Sequence, residues 1–404
     1  MNIEIKPSSP KGRITAPPSK SMAHRLLICG GLSEGESIIH GISDSEDMHA
    51  TLDCLSALGA QYTREGDTVK IRGIDVRNAC PTRPLGCRES GSTLRFFLPL
   101  CLLSGNETVL QGAPRLLERP LSVYENIAAD QGLTFRRTKE SVTVGGRLSS
   151  GVYRIPGNIS SQFISGLLFA LPLLEEDSTV VVLPPVESRS YLLLTIDALR
   201  LFGVEIVWRD ERTLYIRGGQ HYTAGEVTVE GDWSNAAAFH ALNQLGGCVE
   251  IDGLSENSLQ GDRICLRYLE QLAQGMPTLH IGDCPDLGPI LMAVAAARHG
   301  AVFCGTRRLR IKESDRGAAM AEELAKFGVS VTVHEDSIVV YPAAFHAPKA
   351  PLSSHNDHRI VMALCALLCR TGGRMTGAEA VRKSLPNYFE LMSALGTEVS
   401  SYET

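Results

Sequence analysis

The sequence predicts an α/β protein built from six copies of one supersecondary unit, divided three and three between two domains. Three observations predict this. An amphipathic helix ending in glycine recurs about every seventy residues and is followed by two short alternating strands. A second helix type, apolar almost all round and opening on small or polar residues, recurs in the same register. The chain has 404 residues, which at roughly 100–200 residues per domain calls for two or more domains.

The surface helices and their strands are clearest in LDCLSALGAQYTREGDTVKIRG from Leu52, LTIDALRLFGVEIVWRDERTLYIRGG from Leu194 and MAEELAKFGVSVTVHEDSIVVYP from Met320. The glycine fits the position just past a helix end, where a positive φ is needed. The residues after it alternate with the period of two of a half-buried strand. Gly59, Gly132, Gly203, Gly328 and Gly396 mark five copies, and the weaker Gly275 in LAQGMPTLHI marks a sixth, with a shortened interval behind it. The second helix type opens at SKSMAHRLL (Ser19), SGSTLRFFL (Ser90), SSQFISGLL (Ser160), DWSNAAAFH (Asp232), DLGPILMAV (Asp286) and NDHRIVMAL (Asn356). A helix apolar all round is a buried one, so each unit reads strand, buried helix, strand, surface helix, strand, strand. The shortened fourth copy puts the division in mid-chain, with crossings expected near Pro17-Pro18 and near Glu230.

Composition narrows the function classes. Charged residues make up 21% and AVILMFWYC 44%, which is globular composition. No apolar run approaches a membrane span, and the N-terminus lacks the pattern of a secretory signal, so a cytoplasmic protein is expected. Eleven cysteines without a C-x-x-C pair indicate reduced, mostly buried thiols rather than a disulfide framework or a zinc site. Cys365 and Cys369, four apart on an apolar helix, read as core. A net charge of −6 argues against a broad nucleic-acid-binding face, so any anionic ligand must be small and held by a local cluster of cations.

Such a cluster is legible. Helix starts carry unpaired N–H groups and a partial positive charge, and several of them aimed at one place would hold an anion. PPSKSMAHR places Lys20, Ser21 and Arg25 at one start, with Ser21 and Arg25 four apart on one face. ESGSTLR supplies Gly91 for close backbone approach and Arg95, and NISSQF supplies Ser160, Ser161 and Gln162. Arg119 lies 13 residues before Gly132, Arg316 lies 12 before Gly328, and Lys383 lies 13 before Gly396. Equivalent corners of three repeats thus present a cation, and Lys312 and Arg359 add two more. Each feature alone could be a helix cap or a solvated charge, but the matched register points to a shared site. Asp286 and Glu313 are the acids in this company, suited either to orienting the cations or to proton transfer. His24 and His358 sit beside proposed site residues as supporting groups.

PPSKSMAHR, ESGSTLR, ERPLSVY, NISSQF, ESRSY, PDLGP, LRIKESDR, SHNDHR and KSLPNYF, in this order and over essentially the whole chain, resemble the EPSP synthase family of 3-phosphoshikimate 1-carboxyvinyltransferases. The resemblance implies a two-domain inverse α/β barrel of six βαβαββ repeats, three per domain, with the active site in the interdomain cleft. One domain would comprise 1–17 and 231–404, and the other 18–230. The implied reaction moves the enolpyruvyl group of phosphoenolpyruvate to the 5-hydroxyl of shikimate 3-phosphate through a tetrahedral intermediate, releasing phosphate. No metal or organic cofactor is expected, nor a nucleic-acid or membrane partner, and the chain is expected to act as a monomer. Carried over residue by residue, Lys20, Ser21, Arg25, Ser160, Ser161, Gln162, Ser188, Asp286 and Lys312 are expected to meet shikimate 3-phosphate, with Tyr191 nearby. Lys20, Gly91, Arg119, Gln162, Arg316, Arg359 and Lys383 are expected to form the phosphoenolpyruvate site. Asp286, Glu313 and Lys20 would handle the protons. The resemblance also implies inhibition by glyphosate at the phosphoenolpyruvate site.

Two residues depart from the family pattern. Glu89 stands where many members have Asn, and Arg308 where some have Asn, so neither is placed in the site. Two alternatives are a sister transferase acting on UDP-N-acetylglucosamine and a non-catalytic anion-binding protein on the same repeats. The chain has Lys20-Ser21 where the sister family has a lysine-asparagine pair, and it lacks a cysteine in GAPRLLERP.

Overall fold

In the computed structural model, which describes residues 1–402, the chain divides into two units. One is Lys20–Val229; the other is Met1–Ser19 together with the chain from Glu230 onward.

Lys20–Val229 contains three four-stranded sheets of one design. In the third repeat, Val152–Pro156 runs into the buried helix Ser161–Ala170 and returns as the parallel neighbour Ser178–Leu183. The surface helix Arg189–Leu201 then leads to the hairpin Ile206–Asp210 and Thr213–Ile216, whose second strand pairs antiparallel with Ser178–Leu183. The second repeat has the same order around the helices Gly91–Cys101 and Ser122–Gln131. In the first repeat, around the helices Lys20–Gly31 and Glu46–Leu58, the opening strand is Glu226–Thr228, which comes from the far end of the unit to pair parallel with Glu36–His40. This continuous stretch therefore supplies every strand of its own three sheets.

The other unit is completed by the N-terminal segment. Its fifth repeat is regular, around the buried helix Gly288–Ala297 and the surface helix Arg316–Lys326. In the sixth, around the helices His358–Thr371 and Tyr388–Ala394, the strand between Gly373–Thr376 and Val399–Ser401 is Ile3–Ile5. The fourth repeat corrects the expectation of six full copies. Lys11–Thr15 and Cys248–Asp252 form a two-stranded parallel sheet around the buried helix Trp233–Gln244, with no hairpin. After the surface helix Cys265–Gln274 the chain passes directly to Thr278–His280, the opening strand of the fifth sheet. The missing hairpin is the cause of the shortened interval.

The helix-ending glycines separate in the same way. Gly59, Gly132, Gly203, Gly328 and Gly396 have φ of +114°, +66°, +78°, +83° and +88°, the left-handed region that returns the chain toward a hairpin. Gly275 is extended, with φ 170°. Each unit has its own apolar core. All ten residues of Gly288–Ala297 are buried, as an all-apolar helix requires, whereas Cys265–Gln274 buries only the stripe Cys265, Tyr268, Leu269 and Leu272. The eleven cysteines are free, and all but Cys80, Cys248 and Cys304 are buried. No helix among the described residues is long and apolar enough to cross a membrane.

Candidate active site

Capped starts of the buried helices carry the predicted residues. Ser90 accepts from the Thr93 amide, Ser160 from the Gln162 amide, Asp232 from the Asn235 amide and Asp357 from the Arg359 amide. Each cap satisfies one of the helix-start N–H groups that nothing within the helix can reach.

In Lys20–Val229, Lys20 Nζ donates to Asp47 Oδ2 at 3.0 Å. Burial disfavours the Asp47 charge, but Lys20 and then His24 overcome it and hold the carboxyl below its usual range. His24 is itself buried, which pushes its pKa down, and its Nδ1 lies 2.7 Å from Thr51 Oγ1. One turn along the helix, Arg25 is 2% exposed and among the described residues bonds neutral oxygens: Thr195 Oγ1 at 2.8 Å, the Ser21 carbonyl at 2.6 Å and the Tyr191 carbonyl at 3.1 Å. Its guanidinium lies 5.2 Å from the centre of the Phe96 ring. Desolvation lowers its pKa to about 10, so an anion placed there would be strongly favoured. Arg95, also 2% exposed, donates to Gln162 Oε1 at 2.7 Å and to the Pro120 carbonyl at 3.1 Å, while Gln162 Nε2 donates to Ser92 Oγ at 2.9 Å. Arg119 packs on Gly91, where an added Cβ would lie 2.6 Å from Arg119 Nη1. Ser188 precedes the helix Arg189–Leu201 at φ +55°, a conformation costing a non-glycine residue about 1–2 kcal/mol.

In the other unit, Arg316, 1% exposed at the start of its helix, is held by three carboxylates. Nη1 meets Asp286 Oδ1 at 2.7 Å, Nη2 meets Glu313 Oε2 at 2.9 Å, and Nε meets Asp357 Oδ2 at 2.9 Å. Lys312 Nζ also reaches Asp286 Oδ1, at 2.9 Å. Burial opposes ionisation of Asp286, but Lys312, Arg316 and Arg359 reverse this and hold its carboxyl well below the usual range. Burial lowers the Lys312 pKa despite Asp286. Arg359 donates to Asn235 Oδ1 at 2.9 Å, and Lys383 donates to the Asn356 carbonyl at 2.6 Å. The buried Asp262 carboxyl is pushed up to about 7, by desolvation first and then by Asp286.

Of the expected residues, Lys20, Ser21, Arg25, Gly91, Arg119, Ser160, Ser161, Gln162, Ser188 and Tyr191 lie in Lys20–Val229, and Asp286, Lys312, Glu313, Arg316, Arg359 and Lys383 in the other unit. Direct bonds join Arg25 to Ser21 and Tyr191, and Arg316 and Lys312 to the acids. Ser160 and Ser161 stand at their helix start, Ser160 as its cap. Sequence reasoning missed Asp47, Asn235, Asp262 and Asp357 as partners of the cations. Asp357 was the one with a signal, since it lies inside SHNDHR beside Arg359. The others lie far along the chain from the cations they serve.

The profile of the EPSP synthase (3-phosphoshikimate 1-carboxyvinyltransferase) family matches residues 5–392. A 3-phosphoshikimate 1-carboxyvinyltransferase of Clostridium kluyveri is 37% identical over 99% of this chain and 98% of its own length. One from Clostridium perfringens is 37% identical over 98% of both. The solved EPSP synthase of Acinetobacter baumannii superposes with a TM-score of 0.80 over the full length of both chains at 22% identity, a likeness of fold.

Proposed function

The chain belongs to the EPSP synthase family, and from that premise we propose how its residues divide the work of enolpyruvyl transfer. The reaction joins the 5-hydroxyl oxygen of shikimate 3-phosphate to C2 of phosphoenolpyruvate and adds a proton at C3. Loss of phosphate from C2 and of a proton from C3 then restores the double bond. Curated relatives named 3-phosphoshikimate 1-carboxyvinyltransferase favour this reading over a UDP-N-acetylglucosamine transferase or a non-catalytic binder.

Ser21, Arg25, Ser160, Ser161, Gln162 and Ser188 are assigned to shikimate 3-phosphate, together with Lys20, Asp286 and Lys312. Arg25 supports this best, being a buried guanidinium with neutral neighbours that a phosphate would neutralise. Lys20, Gly91, Arg119, Gln162, Arg316, Arg359 and Lys383 are assigned to phosphoenolpyruvate, whose carboxylate and phosphate suit forked guanidiniums. Glyphosate would compete at these residues. Asp286 is assigned as the base for the hydroxyl, and Glu313 with Lys20 as the groups that move the C3 proton.

The observation that supports the roles is the grip on Arg316 by Asp286, Glu313 and Asp357, with Lys312 bonded to the same Asp286 oxygen as Arg316. A carboxylate so heavily paired is a weak base. A substrate anion drawing Arg316 away would free Asp286 and raise its basicity at the moment of use. The test is Asp286→Asn. Turnover should fall at least about a hundredfold while shikimate 3-phosphate still binds, with phosphate release from phosphoenolpyruvate as the readout. Near-normal turnover would overturn the assignment. The chain is taken to work as a cytoplasmic monomer, which gel filtration and cell fractionation check.

A further inference from the structure

The helix Arg316–Lys326 holds the segment before the buried helix His358–Thr371 at two points two turns apart. At its start Arg316 binds Asp357. Further along, Glu323 is 0% exposed, and its carboxylate accepts from the Ser353 amide at 2.9 Å, from His355 Nε2 at 2.9 Å and from Lys326 Nζ at 2.9 Å on each oxygen. A carboxylate can only accept, so His355 Nε2 carries the proton of that bond. Between the two points lie His355 and Asn356 at φ +48° and +54°, two consecutive non-glycine residues in the left-handed region. The Ser353 and Ser354 hydroxyls accept from the amides of His355 and Asn356 at 3.2 and 3.1 Å and complete the turn. That turn presents the Asn356 carbonyl to Lys383, and it places Asp357 to cap Arg359 and grip Arg316.

A left-handed pair of this kind persists only where its surroundings hold it, and such pairs occur where a particular side-chain placement is required. We propose that Glu323 and His355 are positioning residues for phosphoenolpyruvate, acting through the 355–357 turn on Lys383, Arg359 and Arg316. Neither is assigned a contact with substrate. The proposal rests on the reading that those three cations hold phosphoenolpyruvate. It depends on the hydrogen bond rather than on bulk at position 355, because Lys326 and the Ser353 amide remain to neutralise Glu323 when His355 is changed.

The test compares His355→Phe, which keeps a ring but loses the donor, with His355→Gln, whose amide reaches the same place, and with Arg359→Ala as a control on the site. Both Michaelis constants and kcat are measured, with thermal melting to confirm folding. In His355→Phe the constant for phosphoenolpyruvate should rise about tenfold, with that for shikimate 3-phosphate within about twofold of wild type. His355→Gln should stay within about threefold for both. An unchanged phosphoenolpyruvate constant in His355→Phe, with a large rise in Arg359→Ala, would overturn the positioning role and leave the site assignment standing. An equal rise for both substrates, or a Gln variant as impaired as Phe, would overturn it as well. If Arg359→Ala also leaves the phosphoenolpyruvate constant unchanged, the site assignment itself falls.

Discussion

At the scale of single residues, two coupled aspartates, the buried Asp262 and the partly exposed Asp286, are driven in opposite directions. Asp286 is held well below the usual carboxylate range, so it contributes stability above that range and loses it as the pH falls through its depressed pKa. Asp262 is pushed up to about 7 by burial and by Asp286, against the pull of Arg359. The unfolded chain releases the Asp262 proton near the ordinary carboxylate pKa and the folded chain only near 7. Between those values the folded state binds more protons, and stability falls as the pH rises. Asp262→Asn removes this titration. Its melting temperature should exceed that of wild type at pH 8 and match it near pH 4.5, measured by calorimetry without ligands. An equal difference at both pH values would show that burial of the charge is not the cause. The acids of this unit were partly legible: Asp286 and Glu313 stood out among cations, whereas Asp262 lies in QGDRI with no cation beside it except Arg263.

At the scale of the element, the recurring helix and glycine predicted five of the six returns correctly and misjudged the fourth. Periodicity and a glycine identify where a helix can end, but whether a hairpin follows depends on a sheet being there to receive it. Gly132 and Gly275 follow helices in the same role, yet the first has φ +66° and the second 170°. Neither would bring an added Cβ within 4 Å of anything, so only backbone conformation distinguishes them. Gly132→Ala should destabilise the protein by about 1 kcal/mol, because a side chain disfavours the left-handed region. Gly275→Ala should change stability by less than about 0.5 kcal/mol, since any residue adopts an extended conformation. Urea unfolding midpoints check both. A loss at Gly275 equal to that at Gly132 would contradict the difference in φ.

At the scale of the whole molecule, the two units differ in how they are closed. Lys20–Val229 contains every strand of its three sheets, including Glu226–Thr228 against Glu36–His40, and has its own core. The chain from Glu230 onward lacks two strands that only the N-terminal segment supplies. These are Ile3–Ile5, interior to a four-stranded sheet, and Lys11–Thr15, which pairs with Cys248–Asp252 in a two-stranded sheet. A fragment of residues 20–229 should therefore fold alone, with a cooperative melt and a mixed α/β circular dichroism spectrum. A fragment beginning at Glu230 should fold only when a peptide of residues 1–19 is added. Independent folding of the second fragment would show that the N-terminal strands are dispensable.

The sequence by itself determined the repeating unit, the distinction between buried and surface helices, the motif order shared with the EPSP synthase family and most of the residues now assigned to its chemistry. These properties are local. A helix's burial is written in its own apolar pattern, a cap in a few adjacent residues, and a motif in a short run. Only the tertiary structure decided which charge meets which. Lys20 pairs with Asp47 across 27 residues, Arg316 with Asp357 across 41, and Arg359 with Asn235 across 124. It also decided that Ile3–Ile5 completes the last sheet rather than the first. A buried charge needs a partner, but its own sequence neighbourhood names none. The partner is whichever residue the chain brings within about 3 Å once the apolar cores have closed.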